Sequence, residues 1–566
     1  MASRLDDQLN AIMAEMTAPG APFELTRVER RGLPMPAFRH APATLPELFD
    51  HYCTRHADLE LLVDGELRLT FAQTYALAQR VSAGLIARHG VRRGDRIGIA
   101  ARNSANWIIA YMGVLMAGGC AALINGWWSA KELTDGILLA DCALVLADDD
   151  RIERLSGQVA DTRIVRIGDG DPEAGLAAIL ADRADAAPPP ELTGEDRATI
   201  VFTSGSTGIS KGAVSDHFAV VQATMNFAAG SMMAALHFGG PGPRKHQATA
   251  LLAMPLFHVA GEIAIALQSL IIGRRIVVMA KWDPFEAMTL IERERVTGFL
   301  GAPLMTLDMA LHPARGRFDL SSCAILGAGG APPPEKHIAL MRRSMPTAQP
   351  LLGYGLTETN SVGCFNLAEN YLAKPGSTGP ATRPLAQIAI LGPDHRPLPT
   401  GLRGEIAVRS AGNMTEYWRN PIETAAAFTE DGFFLTGDLG YLDEDGYLFV
   451  VDRKKDIIIR GGENISCVEV EQAIYQHNAV AEASVFGMPC EHYGEVPVAV
   501  VATKAGQPLS DEDLRSHLER HVAAFKVPVQ FWTHAAALPR LGSQKIDKRA
   551  LKACYSPQWE AAKATS

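Results

Sequence analysis

The sequence predicts an α/β protein with a large N-terminal domain over residues 1–452 and a smaller α+β domain over residues 453–566. Three observations point there. A chain of 566 residues is too long for one hydrophobic core. From Leu69 onward, short apolar runs alternate with helical patterns, as in parallel sheets with crossover helices. The charged stretch Asp452-Arg453-Lys454-Lys455-Asp456 then precedes a mixed strand-and-helix pattern of about 110 residues, the size of a small domain.

The first 40 or so residues read as a polar arm with one short helix. Beyond them Arg96 to Ala100 reads as a strand, Ala105 to Met116 as a helix, and Ala121 to Ile124 as a strand. A helix over Lys131 to Leu139 and a strand over Ala143 to Leu146 continue the alternation. Ala186 to Pro190 forms a flexible connection before a strand at Ala198 to Phe202, and a helical pattern begins near Val214. Glu444-Asp445-Gly446 supplies the turn of a hairpin around Asp443 to Val451.

Composition is 47% hydrophobic and 20% charged, ordinary for a globular enzyme. The net charge is −10 and no Lys/Arg block stands out, which argues against a nucleic-acid partner. Eight scattered cysteines show no metal-ligand spacing and read as reduced thiols. The first residues lack a basic n-region and an apolar h-region, so a cytoplasmic location is expected. Trp107 to Ile124 is broken by Gly118 and Gly119, and Ala253 to Ala280 carries charged residues. Both read as core, with no integral membrane segment.

The most informative segment runs from Thr203 to Gly212, Thr-Ser-Gly-Ser-Thr-Gly-Ile-Ser-Lys-Gly. Gly205, Gly208 and Gly212 let backbone N–H groups converge on an anion. Thr203, Ser204, Ser206, Thr207 and Ser210 add hydroxyl donors, and Lys211 adds charge. The set suits a polyphosphate. A Walker A loop needs Gly-Lys-Ser/Thr, and here Ser210 precedes the lysine while Gly212 follows it.

This loop resembles the signature of the adenylate-forming superfamily, and further motifs of that family follow in order. Gly327-Ala328-Gly329-Gly330-Ala331-Pro332 is similar to the segment on which adenine stacks. Gly353-Tyr354-Gly355-Leu356-Thr357-Glu358 is similar to the family's most diagnostic motif. The resemblance implies that Tyr354 packs on adenine, Thr357 touches the α-phosphate and Glu358, with Thr207, holds Mg²⁺. Asp438 in Thr436-Gly437-Asp438 and Arg453 would hold the ribose, Lys455 would be a hinge, and Lys545 would be the catalytic lysine. Arg460, Gly461, Gly462 and Glu463 resemble the segment lining a pantetheine tunnel. Three positions depart from the usual pattern: Ser210, Leu352 and Gln544.

The resemblance implies an acyl-CoA synthetase using ATP, Mg²⁺ and coenzyme A on a small-molecule carboxylic acid. It also implies a small β-rich subdomain and a mobile C-terminal cap; the oligomeric state, homodimer included, stays open. In Pro255-Leu256-Phe257-His258-Val259-Ala260-Gly261, His258 stands where amino-acid-activating relatives carry an aspartate and resembles an aromatic gate. Val259 beside it, with Ile263, Leu304, Met305, Val362 and Gly363 as candidate pocket walls, points to an apolar acid. Medium- or long-chain fatty acids and bulky aryl-alkyl or ring-bearing acids fit. An aryl-acid (benzoate- or cinnamate-type) CoA ligase and a luciferase-like adenylating oxidase are the alternatives.

Overall fold

The computed structural model describes residues 4–159, 162–203, 211–239, 246–329, 335–461, 463–504, 506–541 and 545–564. Two large sheets form the body. One has seven strands, and its inner members Arg197–Thr203, Cys120–Leu123, Arg96–Ala100 and Leu144–Ala147 run parallel with Arg163–Arg166. The other has eight strands, with Glu60–Asp64, Arg275–Val278, Thr249–Leu252, Gly298–Gly301, Ile325–Gly329 and Gln349–Gly355 parallel to one another. Covered on both faces, such strands carry continuous apolar runs, and Ile97, Ile99, Leu123 and Leu146 are fully buried.

The helix Ala105–Met116 explains the first of the suspect apolar stretches. It packs against strands of both sheets, so all twelve of its residues are buried. Ser104 caps it by accepting from the Trp107 N–H at 3.1 Å. Its partner helix Phe71–His89 comes so close that a Cβ on Gly113 would lie 2.3 Å from Val81.

Two sequence expectations need correction. The residues after the Ser/Gly loop form a strand, Lys211–Asp216, paired antiparallel with Arg197–Thr203. The helix begins only at His217, because Asp216 accepts from the Ala219 N–H at 2.8 Å and caps it. The N-terminal residues are no loose arm either. Leu5, Leu9, Met13 and Met16 form one buried stripe on the helix Arg4–Thr17, which packs on the helix His217–Phe238. A hairpin, Leu25–Arg30 with Leu33–Phe38, follows and is pinned by an Arg30–Asp216 ion pair at 2.8 Å. His217–Phe238 is long and apolar enough to cross a membrane, yet 61% of that window is buried inside the fold.

An antiparallel sheet of four strands, Gln387–Leu391, Gly404–Arg409, Phe434–Leu442 and Leu448–Arg453, is the β-rich element. Beyond it lies a five-stranded sheet between Ile458 and Thr533 with two cores of its own. Alternation along Val480–Cys490 makes both: Val485 faces Ile474 and Phe531, whereas Phe486 and Met488 face Leu538 and Leu551. All eight cysteines are free thiols, six of them buried, as expected of small hydrophobes.

Candidate active site

A cleft of about 3350 Å³ lies where the parallel strands of the body end. Thr203, Gly301, Gly329 and Gly355 are the last residues of their strands and all line it. Open α/β sheets place ligands at the carboxyl ends of their strands, which is how motifs distant in sequence converge here. The volume exceeds the roughly 300–1,000 Å³ of an ordinary ligand pocket, so several substrates can share it.

One wall is built on the β-rich element. Asp438 and Arg453 are direct cross-strand partners, and Arg453 Nε lies 3.3 Å from one Asp438 oxygen. The Tyr354 hydroxyl donates to the other at 2.8 Å. Burial pushes the Asp438 carboxyl above its ordinary range, opposed by Arg453, the Tyr354 hydrogen bond and Lys545. Gly327, Gly329 and Gly353 lie alongside, with Gly329 in register with Gly353. A Cβ on Gly329 would meet the Gly353 carbonyl oxygen at 3.6 Å, an ordinary contact.

Thr357 and Glu358 sit on a 3-10 turn, Thr357–Thr359, held by residues that carry no local sequence signal. Asn360 and Ser361 adopt left-handed backbone angles, φ 49° and 64°. The Asn360 amide donates to Ser215 Oγ and the Gly412 carbonyl, each at 2.9 Å. Tyr417 donates its hydroxyl to Glu358 at 2.9 Å, and Lys211 Nζ lies 5.0 Å from the Tyr417 ring centroid while pairing with Glu423. Burial raises the Glu358 carboxyl above its usual range. Among the described residues no group of three His, Cys, Asp or Glu side chains gathers as a metal cage. A lone carboxylate still suits Mg²⁺, which keeps several waters and takes only one or two carboxylates from the protein.

Lys545 reaches the cleft from the far side. Its turn is fastened by the Leu541 N–H donating to the Lys545 carbonyl at 2.8 Å and by an Arg540–Ile546 bridge. Arg540 is in turn paired with Glu482. The Lys545 side chain keeps accessible surface but lies within the cleft walls, deep enough that burial and Arg453 lower its ammonium to about 8. Burial, with a smaller push from Lys545, takes the His258 imidazole down to about 4, so it is neutral at physiological pH.

Next to His258 one stretch of the cleft wall is apolar. Val259, Ala260, Ala264, Ile265, Phe299, Leu300 and Leu304 line it. Of the expected wall residues only Leu304 and Val259 do so. Ile263, Met305 and Val362 are buried in the core, and Gly363 pairs with Gly355 in the sheet. The register differs from expectation because Glu262–Leu267 is a π-helix, whose wider turn presents Ala264 and Ile265 to the cavity.

Lys455 lies exposed on the turn after Arg453. Arg460, Gly461 and Glu463 stand apart from the cleft on the hairpin Ile458–Arg460 with Glu463–Ile465. Arg460 stacks on Tyr493 at 4.8 Å, and Gly461, at φ 57°, donates to the Tyr493 carbonyl at 2.8 Å. Ser204, Gly205, Ser206, Thr207, Gly208, Gly330, Ala331 and Gly462 lie outside the described residues.

Residues 49–418 match the AMP-binding enzyme family and residues 469–545 its C-terminal domain. The chain is 34% identical to a 2-succinylbenzoate–CoA ligase of Geobacillus kaustophilus, over 86% of this chain and 94% of that one. It is 31% identical to a long-chain-fatty-acid–CoA ligase of Mycobacterium tuberculosis, over 87% and 94% of the two chains. Among solved structures it resembles an o-succinylbenzoate coenzyme A synthetase of Bacillus subtilis in complex with ATP and a magnesium ion. There the TM-score is 0.76 at 27% identity, covering 89% of this chain and 99% of that one.

Proposed function

The chain belongs to the AMP-binding enzymes, as an AMP-forming acid–thiol ligase, and from that premise we propose that it activates an apolar carboxylic acid as its CoA thioester. A substrate carboxylate oxygen attacks the α-phosphorus of ATP, and the bond to the bridging oxygen breaks, releasing pyrophosphate. The thiol of coenzyme A, losing its proton, then attacks the acyl carbon of the adenylate, and AMP departs with the oxygen that joined it to the acyl group.

Tyr354, Gly329, Gly330 and Ala331 hold adenine, and Asp438 with Arg453 receives the ribose hydroxyls. Thr203 to Gly208 and Lys211 cradle the departing pyrophosphate, and Thr357 touches the α-phosphate. Negative charge gathers on phosphate oxygens in the transition state, and the Lys545 ammonium meets it. Glu358 and Thr207 would hold Mg²⁺, whose positive charge neutralises phosphate oxygens when bound. His258, neutral and enclosed, forms the wall between the nucleotide and the acid.

The observation that carries this reading is the position of Lys545 in the cleft, near both Asp438 and His258. It supports a first half-reaction arrangement, with Arg460, Gly461 and Glu463 outside. A division at residue 452/453 with its hinge at Lys455 lets a rotated second domain bring Arg460 to Glu463 to the cleft for thiolysis. The apolar wall next to His258 supports a fatty or bulky ring-bearing acid. Pyrophosphate release over a panel of acids, with and without CoA, tests this. Release that tracks apolar acids supports it; silence with every acid sinks it.

A further inference from the structure

The apolar wall gives way to polar side chains. Toward its C-terminal end the helix Val259–Ile271 presents Gln268, and Arg274, three residues past the helix, folds back beside it; both line the cavity together with Ser231. Arg274 Nε donates to Ser269 Oγ at 2.9 Å, and its Nη2 donates to the Ile265 carbonyl and to Gln268 Oε1, both at 3.1 Å. Its Nη1 makes no hydrogen bond among the described residues. Gln268 is held in place, donating to the Phe227 carbonyl at 2.7 Å and to Ser231 Oγ.

The contrast with the next residue is direct. Arg275 has Glu60 at 2.8 Å and Glu294 at 3.7 Å, whereas among the described residues no carboxylate pairs with Arg274. Burial draws its guanidinium down to about 10. An enclosed cation without a counter-ion is costly and is ordinarily paired. A guanidinium also offers its donors in a planar fork suited to carboxylate or carbonyl oxygens.

We propose that Arg274, with Gln268 and Ser231, forms a distal subsite that receives an oxygen acceptor on the end of the acid remote from the reacting carboxyl. This rests on the ligase reading and names the substrate class within it: an elongated apolar body with a terminal carboxylate or ketone. His258 caps the start of this helical segment and Gln268 stands near its other end, which sets the two apart along its length.

Three acid series of matched length test it, ending in methyl, methyl ketone or carboxylate, with pyrophosphate release giving kcat/KM for each. The native enzyme is expected to favour an oxygen-bearing series over the plain one by about 10- to 100-fold, the range of a charge-assisted hydrogen bond. The ketone and carboxylate arms distinguish the two sources of the acceptor. In Arg274→Met that ratio collapses toward one, while Arg274→Lys keeps part of it for the carboxylate. Thermal midpoints of the variants show whether each is folded. A native preference for plain acids, or an equal fall for all three series in folded Arg274→Met, overturns the subsite and leaves Arg274 as a helix cap. No pyrophosphate from any series overturns the ligase reading as well; turnover of plain acids without oxygen preference overturns the subsite alone.

Discussion

Asp438→Asn separates the charge of the ribose site from its shape. The native carboxylate is enclosed, with Tyr354 donating at 2.8 Å and Arg453 at 3.3 Å, and its remaining lone pairs face the cleft. A hydrogen bond to a charged acceptor contributes about 1.5–3 kcal/mol and one to a neutral acceptor about 0.5–1.5 kcal/mol. Across two ribose hydroxyls the substitution therefore costs about 2–3 kcal/mol, a rise in KM for ATP of about 30- to 150-fold. Stability should change little, because burial already disfavours this charge and an amide of the same shape replaces it. Pyrophosphate release measured with ATP and with 2′-deoxy-ATP is the assay. The native enzyme discriminates between the two nucleotides, and Asp438→Asn does so much less. An unchanged KM for ATP together with the native discrimination ratio would refute the assignment of Asp438 to ribose.

Adenylation should be level below about pH 7 and fall as the pH passes through about 8, where the Lys545 ammonium, facing Arg453, Asp438 and His258, loses its proton. Lys545→Met should remove that limb from the pH profile of the residual rate. Because its native value lies below the free 10.5, the charged lysine destabilises the fold below pH 8, and the penalty fades between about 8 and 10.5. Among the described residues His258 Nε2 is buried without a hydrogen-bond partner, so His258→Phe should gain about 1 kcal/mol in denaturant unfolding, whereas His258→Ala opens the wall and slows adenylation at least tenfold. Asn360→Ala removes the amide's hydrogen bonding to Ser215 and Gly412 and leaves a left-handed alanine, a loss of about 2–3 kcal/mol read as a lower urea midpoint.

The elements that position the site were legible where a local signal coincided with burial. The strand Arg96–Ala100 and the helix Ala105–Met116 stand at the residues that periodicity assigns, since both are enclosed by neighbours on every side. The Arg4–Thr17 helix was underread because its stripe of Leu5, Leu9, Met13 and Met16 is spaced among charged residues. The strand Lys211–Asp216 was taken into the following helix because Ala213 and Val214 suit either state, and the Asp216 cap marks the true start. Contacts across long separations leave no trace in one sequence: Tyr417 reaches Glu358, and the Asn360 amide reaches Ser215 and Gly412. Along the segment after His258, the π-turn Glu262–Leu267 buries Ile263 and presents Ala264 and Ile265 to the cavity, a shift that periodicity at 3.6 residues does not reveal.

The central claim, activation through an acyl-adenylate, is tested most directly by following oxygen. An acid labelled with ¹⁸O in its carboxyl group is turned over with ATP and CoA, and the products are weighed by mass spectrometry. Attack of the carboxylate on the α-phosphorus transfers one label to AMP and none to pyrophosphate. Label in inorganic phosphate, with ADP as the nucleotide product, would contradict the account.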